Sequence, residues 1–197
     1  MPGVCAIILA AGESKRMGFP KMLLDFNGVP MLECVIRNVK SSEVNDIVVV
    51  MGAYREEIQN IVERTGVKCC YNDIYKEGML SSVQCGFRYL SQEADAVLVF
   101  QGDQPFISSD VINKVIVSYR SSGKGILMPV FKNRRGHPLL VDRKYFTEIE
   151  KLDPGKGLKS LSEIFSEDVE EVSVSEAGIL RDFDTFEEYR NEINQTN

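Results

Sequence analysis

The chain has one histidine, His137, among 197 residues, and no Gly-x-Ser-x-Gly elbow. Triad-type nucleophilic catalysis therefore has almost nothing to build on. A basic excess is absent too: 23 Lys and Arg stand against 29 Asp and Glu, a net charge of −6. No global positive field is available for nucleic acid. The five cysteines, at 5, 34, 69, 70 and 85, contain no Cys-x-x-Cys pair. Zinc ligation lacks its usual spacing, and an odd count that cannot all pair fits a reducing cytoplasm. No apolar run approaches the ~20 residues of a membrane span, and residues 1–9 lack the charged start of a signal peptide. Internal repeats, linkers and low-complexity tracts are also missing. What remains, 44% hydrophobic and 26% charged, is an ordinary globular composition sized for one α/β domain over 1–197.

The most informative stretch is at the start. Val4-Cys5-Ala6-Ile7-Ile8-Leu9 is an unbroken apolar run, which reads as a strand buried on both faces. Ala10-Ala11-Gly12-Glu13-Ser14-Lys15-Arg16-Met17-Gly18-Phe19-Pro20-Lys21 follows at once, with three cations within seven positions. Open backbone N–H groups beside guanidinium and ammonium groups suit a polyanion such as a nucleoside triphosphate. Neither familiar phosphate loop fits. Five residues rather than four separate Gly12 from Gly18, Phe19 follows that glycine, and Ser14 and Met17 stand where a dinucleotide fingerprint needs glycine.

Farther on, apolar periodicity predicts a helix from about Met31 to Lys40, a strand at Asp46–Met51, a helix from Arg55 to Arg64 and a strand at Val67–Tyr71. Cys69 and Cys70 are expected to point to opposite faces. Ser81 or Ser82 is a possible cap for a helix running to Leu90, whose N-terminus would offer N–H groups to an anion. Asp95–Gln101 is a strong strand running into Gly102-Asp103-Gln104-Pro105, so the Asp103 carboxylate lies at a strand's carboxyl end, where open α/β sheets bind ligands. A helix at 110–119, strands at 125–131 and 136–141, helices at 143–152 and up to Phe165, an edge strand at 169–174 and a helix capped by Thr185 complete the reading. The pattern is a single doubly wound, mostly parallel sheet, Rossmann-like, with a possible antiparallel excursion late in the chain.

The signature L-A-A-G-x-S-x-R-M-G-x-x-K resembles that of the nucleotidyltransferases of molybdenum cofactor biosynthesis, and looks closest to their cytidylyltransferase branch. The resemblance implies transfer of CMP from CTP to the phosphate of molybdopterin, with pyrophosphate released. Ala11 supports CTP, since the guanylyl branch tends to glycine there. It implies that Leu9, Ala10, Ala11 and Gly12, with Gly102, wall the nucleotide, while Arg16 and Lys21 neutralise its triphosphate. Lys15 is expected to face solvent. It further implies Mg²⁺ held by Asp103, of Gly102-Asp103-Gln104-Pro105, and by Asp184, of Asp182-Phe183-Asp184-Thr185, with Asp182 as a stand-in. Arg16, Lys21 and Asp103 would be the catalytic groups. A phosphate acceptor is already anionic, so no general base is required.

For the acceptor, related enzymes carry a Gly-Met-Ser-Ser-Ser-like stretch facing the substrates. Here Ser81 and Ser82 follow Leu80, which replaces the first serine. Arg134-Arg135-Gly136-His137-Pro138 and Asp153-Pro154-Gly155-Lys156-Gly157 resemble two further acceptor-side segments, although no arginine follows Gly157; they fit an anionic pterin phosphate or equally solvated loops. His137 is expected to be a hydrogen-bonded strand residue on the substrate side rather than a catalyst. A molybdoenzyme or its chaperone would be a transient partner. Guanylyl or sugar-phosphate transfer on the same fold, and a non-catalytic chaperone that only presents nucleotide or cofactor, remain alternatives.

Overall fold

The computed structural model describes residues 3–90, 94–183 and 185–196, the last four as backbone only. Its elements, in order, are β1 (Val4–Ala10), β2 (Asp25–Phe26), β3 (Val29–Pro30), α1 (Met31–Lys40), β4 (Asp46–Met51), α2 (Arg55–Thr65), β5 (Lys68–Tyr71), α3 (Met79–Tyr89) and β6 (Ala96–Gln101). There follow α4 (Ser109–Ser122), β7 (Ile126–Phe131), β8 (Arg134–Arg135), β9 (Leu139–Asp142), α5 (Phe146–Ile149), α6 (Lys159–Ile164), β10 (Val169–Ser173) and α7 (Phe186–Thr196).

The main sheet runs β10-β7-β9-β6-β1-β4-β5, with β8 added to β7. β6, β1, β4 and β5 are parallel, and β10 is parallel to β7. β9 is antiparallel to both neighbours, which confirms the late excursion.

Alternation along β1 explains the doubly wound form. Val4, Ala6, Ile8 and Ala10 pack with the apolar stripes of α1, α2 and α4, while Cys5, Ile7 and Leu9 pack with α3, α5 and α6. Both faces of the central strand are covered, hence its unbroken apolar run. Cys69 and Cys70 join opposite layers, as the period of two requires.

Two expectations shift. The helix expected at 143–152 is a 3-10 turn at Arg143–Tyr145 followed by the four-residue α5, and the second helix is only α6. The Asp142 side chain accepts from Lys144 N at 2.8 Å and sets the tight turn, and the Pro154-Gly155 turn keeps the pieces apart. The strand expected at 136–141 begins at Leu139, because Gly136-His137-Pro138 forms the bend after β8.

A smaller apolar cluster joins the chain's two ends. Leu24, Phe26, Met31 and Phe183 are buried together, with Phe106 and Tyr189 packed against them. The Phe26 and Phe106 rings meet edge to face at 5.1 Å. Thr185 and Glu188 make a reciprocal capping box at the start of α7, 3.0 and 3.2 Å, as the expected cap position allows.

Candidate active site

The loop after β1 is shaped from within. Ser14 adopts a left-handed φ of 50°, its carbonyl accepts from Met17 N and Gly18 N at 3.0 and 3.1 Å, and its hydroxyl accepts from Lys21 N at 3.2 Å. Short polar residues tolerate this conformation best after glycine, so Ser14 turns the loop back over the sheet edge. Lys21 is thereby brought to the carboxyl end of β6. Its ammonium forms an ion pair with Asp103 Oδ2 and donates to the Phe183 carbonyl at 3.4 Å. Both side chains are largely buried, at 18% and 6% exposure. The other oxygen, Asp103 Oδ1, is buried with no hydrogen-bond partner among the described residues. A buried carboxylate oxygen in that condition is an unmet demand for a cation or donor, and carboxylate is the hard ligand Mg²⁺ selects. Asp184 lies outside the described residues, whereas its neighbour Phe183 is against Lys21.

Asp103 and Lys21 open onto a cleft of about 320 Å³, walled by Leu9, Ala11, Gly12 and Ser82 and edged by Glu13 and Lys76. Gly12 meets the cleft with nothing within 4 Å of where a Cβ would be, leaving its backbone approachable. Ala10 turns its methyl into the core beside Ala6 and Ile8. Gly102 faces inward: its N–H donates to the Leu9 carbonyl at 3.0 Å, and a Cβ there would sit 3.0 Å from that oxygen and from Met22 Sδ. Arg16 is exposed and lines a separate recess of about 210 Å³ with Ser14 and Lys21. Lys15 pairs with Glu13 at 2.8 Å and is 78% exposed.

Neither serine caps α3. The helix starts after Gly78, whose φ of 112° suits glycine, and the serines lie buried in its first turn. Asn72 donates to the Ser81 and Ser82 hydroxyls at 2.9 and 3.0 Å, and Ser81 donates to the Gly78 carbonyl at 2.8 Å. Ser82 reaches the cleft, and Ser81 ties the helix to the β5 end.

A second cleft, of about 400 Å³, adjoins the first. Its walls are aliphatic (Val83, Val99, Met128, Leu139, Leu158), and its charged lining consists of Arg135, Lys156 and Lys159, with no carboxylate among the described residues. Arg135 is paired with Glu171 at 2.7 Å and Lys159 with Glu163 at 3.5 Å. The two acceptor-side segments of the sequence thus converge here. His137 lines this cleft too; its Nε2 is 2.9 Å from the Gln101 amide nitrogen, and its Nδ1 is buried without a partner among the described residues. Burial pushes the His137 pKa down, against a smaller upward pull from Asp103. Gln101 and Asn72 belong to no motif of the sequence, and Ser14, although part of the opening signature, takes no role from it; a polar residue closing an otherwise apolar strand is the only signal for Gln101.

Known proteins share this fold. The Rv0371c protein of Mycobacterium tuberculosis H37Rv superimposes with a TM-score of 0.86 at 21% identity over 98% of each chain, and it has also been solved in complex with manganese. A nucleotidyl transferase from Methanothermobacter thermautotroptrophicus gives 0.81 at 22% identity over 99% of each chain. Among curated proteins, the bifunctional protein GlmU of Clostridium kluyveri is 33% identical over 141 residues, 70% of this chain and 31% of that protein. The chain therefore spans about a third of the length of the curated relatives it matches. Since the family model for the MobA-like NTP transferase domain matches residues 6–172, most of the sheet and both clefts, the chain belongs to that family of nucleotidyltransferases.

Proposed function

We propose that residues 1–197 act as one cytoplasmic nucleotidyltransferase domain that moves CMP from CTP to the phosphate of molybdopterin, releasing pyrophosphate. The observation that carries this reading is the pair of adjoining clefts. One has a buried cation–carboxylate pair under an approachable backbone wall, and the other combines aliphatic walls with three cations and no carboxylate. A triphosphate fits the first. A flat heteroaromatic ring with an anionic substituent fits the second better than a hydroxyl-rich sugar, which needs many polar partners.

In this reading an oxygen of the acceptor phosphate forms a bond to the α-phosphorus of CTP. The bond to the bridging oxygen breaks, and its electron pair leaves with pyrophosphate. No proton has to move, which agrees with a site whose sole imidazole is held neutral by burial. Lys21 and Arg16 carry charge developing on the leaving group, and the Leu9–Gly12 backbone seats base and ribose. Asp103, with Asp184, would hold Mg²⁺, which would supply neutralisation of the donor's phosphate charge. Ser82 and His137 border the acceptor side, and Ser81 supports them by holding α3. The choice of CTP over GTP rests on Ala11, and the product would pass to a molybdoenzyme or its chaperone.

The test is pyrophosphate release with Mg²⁺ across CTP, GTP, ATP and UTP, each with molybdopterin and with a hexose 1-phosphate. Turnover confined to CTP and molybdopterin is expected. Turnover with the sugar phosphate alone would overturn the acceptor, and tight CTP binding without release in any combination would leave only a carrier role.

A further inference from the structure

The two clefts meet along three side chains, Leu9, Met79 and Gln101, which line both. Two of them are apolar, so Gln101 alone at this junction has strong hydrogen-bonding atoms. It ends β6 and shares a sheet face with Val97 and Val99, on the α3 side. Its amide is tied across the sheet edge to His137 Nε2 at 2.9 Å. Whether the neutral imidazole accepts at Nε2 from the amide N–H or donates from Nε2 to the amide oxygen, the tether leaves at least one Gln101 N–H for a substrate oxygen.

We infer that Gln101, oriented by His137, aligns the attacking oxygen of the acceptor with the α-phosphorus of the donor. The inference rests on the transfer reaction proposed above. A neutral amide suits this junction: a carboxylate would repel both phosphates, and an ammonium would neutralise the attacking oxygen. Gln101 is thus the catalytic contact, and His137 a positioning residue acting through it.

Gln101→Leu should lower kcat with CTP, Mg²⁺ and molybdopterin by about 10²-fold, the usual scale for misaligned reactants, while CTP affinity by calorimetry stays within about twofold. Gln101→Glu should lose at least as much. His137→Ala should lose less, and adding it to Gln101→Leu should cost nothing further, because its effect passes through the amide. Should Gln101→Leu fail to fold, Gln101→Asn, which keeps the amide but shortens its reach, takes its place. A second readout does not depend on the acceptor. The side-chain ¹⁵N amide pair of Gln101 should shift when inorganic phosphate is added to protein loaded with Mg²⁺ and a non-hydrolysable CTP analogue, beyond any shift from the analogue alone. A kcat within about twofold of wild type, an equal loss of CTP affinity, additive losses in the double variant, or an unmoved amide would each overturn the inference. Wild-type inactivity on molybdopterin strikes the acceptor assignment instead, and the amide shift then decides for Gln101.

Discussion

The Lys21 ammonium lies between the Asp103 carboxylate and the main-chain oxygen of Phe183, joining the loop after β1, the central sheet and the C-terminal tail at one point. Removing it strands a buried carboxylate whose other oxygen already lacks a partner among the described residues. Lys21→Met should therefore destabilise the protein by about 3 kcal/mol in metal-free urea unfolding. Millimolar Mg²⁺ should restore part of that loss, since a divalent ion answers the same charge. Unchanged stability in both conditions would show that the pair carries no energetic weight.

Asp103→Asn tests the same place from the other side. With the charge gone but the shape kept, the fold should persist, and metal-dependent pyrophosphate release should fall at least about 10²-fold. Asp184→Asn should act in the same direction. Full turnover by either variant would remove that residue from the metal site.

Gly102 has no room for a side chain, since a Cβ would press on the Leu9 carbonyl and Met22 Sδ at 3.0 Å. Gly102→Ala should cost about 1–3 kcal/mol, the scale of overpacking, and should displace the neighbouring Asp103. Thermal unfolding reads the first effect. A larger loss of turnover than of folded protein at assay temperature reads the second.

The tail is held by its cap and by Phe183. Thr185→Ala should remove about 1 kcal/mol from the start of α7. Hydrogen exchange should then quicken through α7 and, by way of the Phe183 carbonyl, in the turn at Lys21–Leu23. Faster exchange limited to α7 would mean that the tail does not steady the loop.

His137 predicts an acid limb of stability. Burial holds its folded pKa below 6.5, with Asp103 opposing, so between the folded and unfolded values the unfolded chain binds more protons. The stability contribution is complete above the unfolded pKa and is lost as pH falls through the folded one. Melting temperature should decline as pH is lowered from about 7.5 to about 5, and His137→Gln should flatten that decline. An equal slope in the variant would assign the limb to other groups.

Much of this was legible in the chain because it is local. The six-residue apolar run of β1, the turn residues behind it and the Thr185 cap each act through neighbours in sequence, and the structure bears them out. Boundaries slipped where tertiary contacts override periodicity. The 143–152 segment has helical spacing, but the Asp95 carbonyl takes the Arg143 N–H, and the Asp142 side chain takes that of Lys144 into a tighter turn. Ser81 and Ser82 stand where caps are expected, yet Asn72 draws both hydroxyls inward. The Gln101–His137 contact spans 36 residues and exists only because β9 returns antiparallel beside β6. Nothing in the spacing of either residue announces it.

That returning strand also separates duties within the molecule. The cleft at Asp103 is assembled from the loop after β1 and the segments around α3 and β6, while most of the second cleft comes from residues 126–162, and among the described residues only Leu9, Met79 and Gln101 line both. Substitutions can therefore reshape the second cleft while leaving the first untouched, provided those three shared positions keep the halves in step.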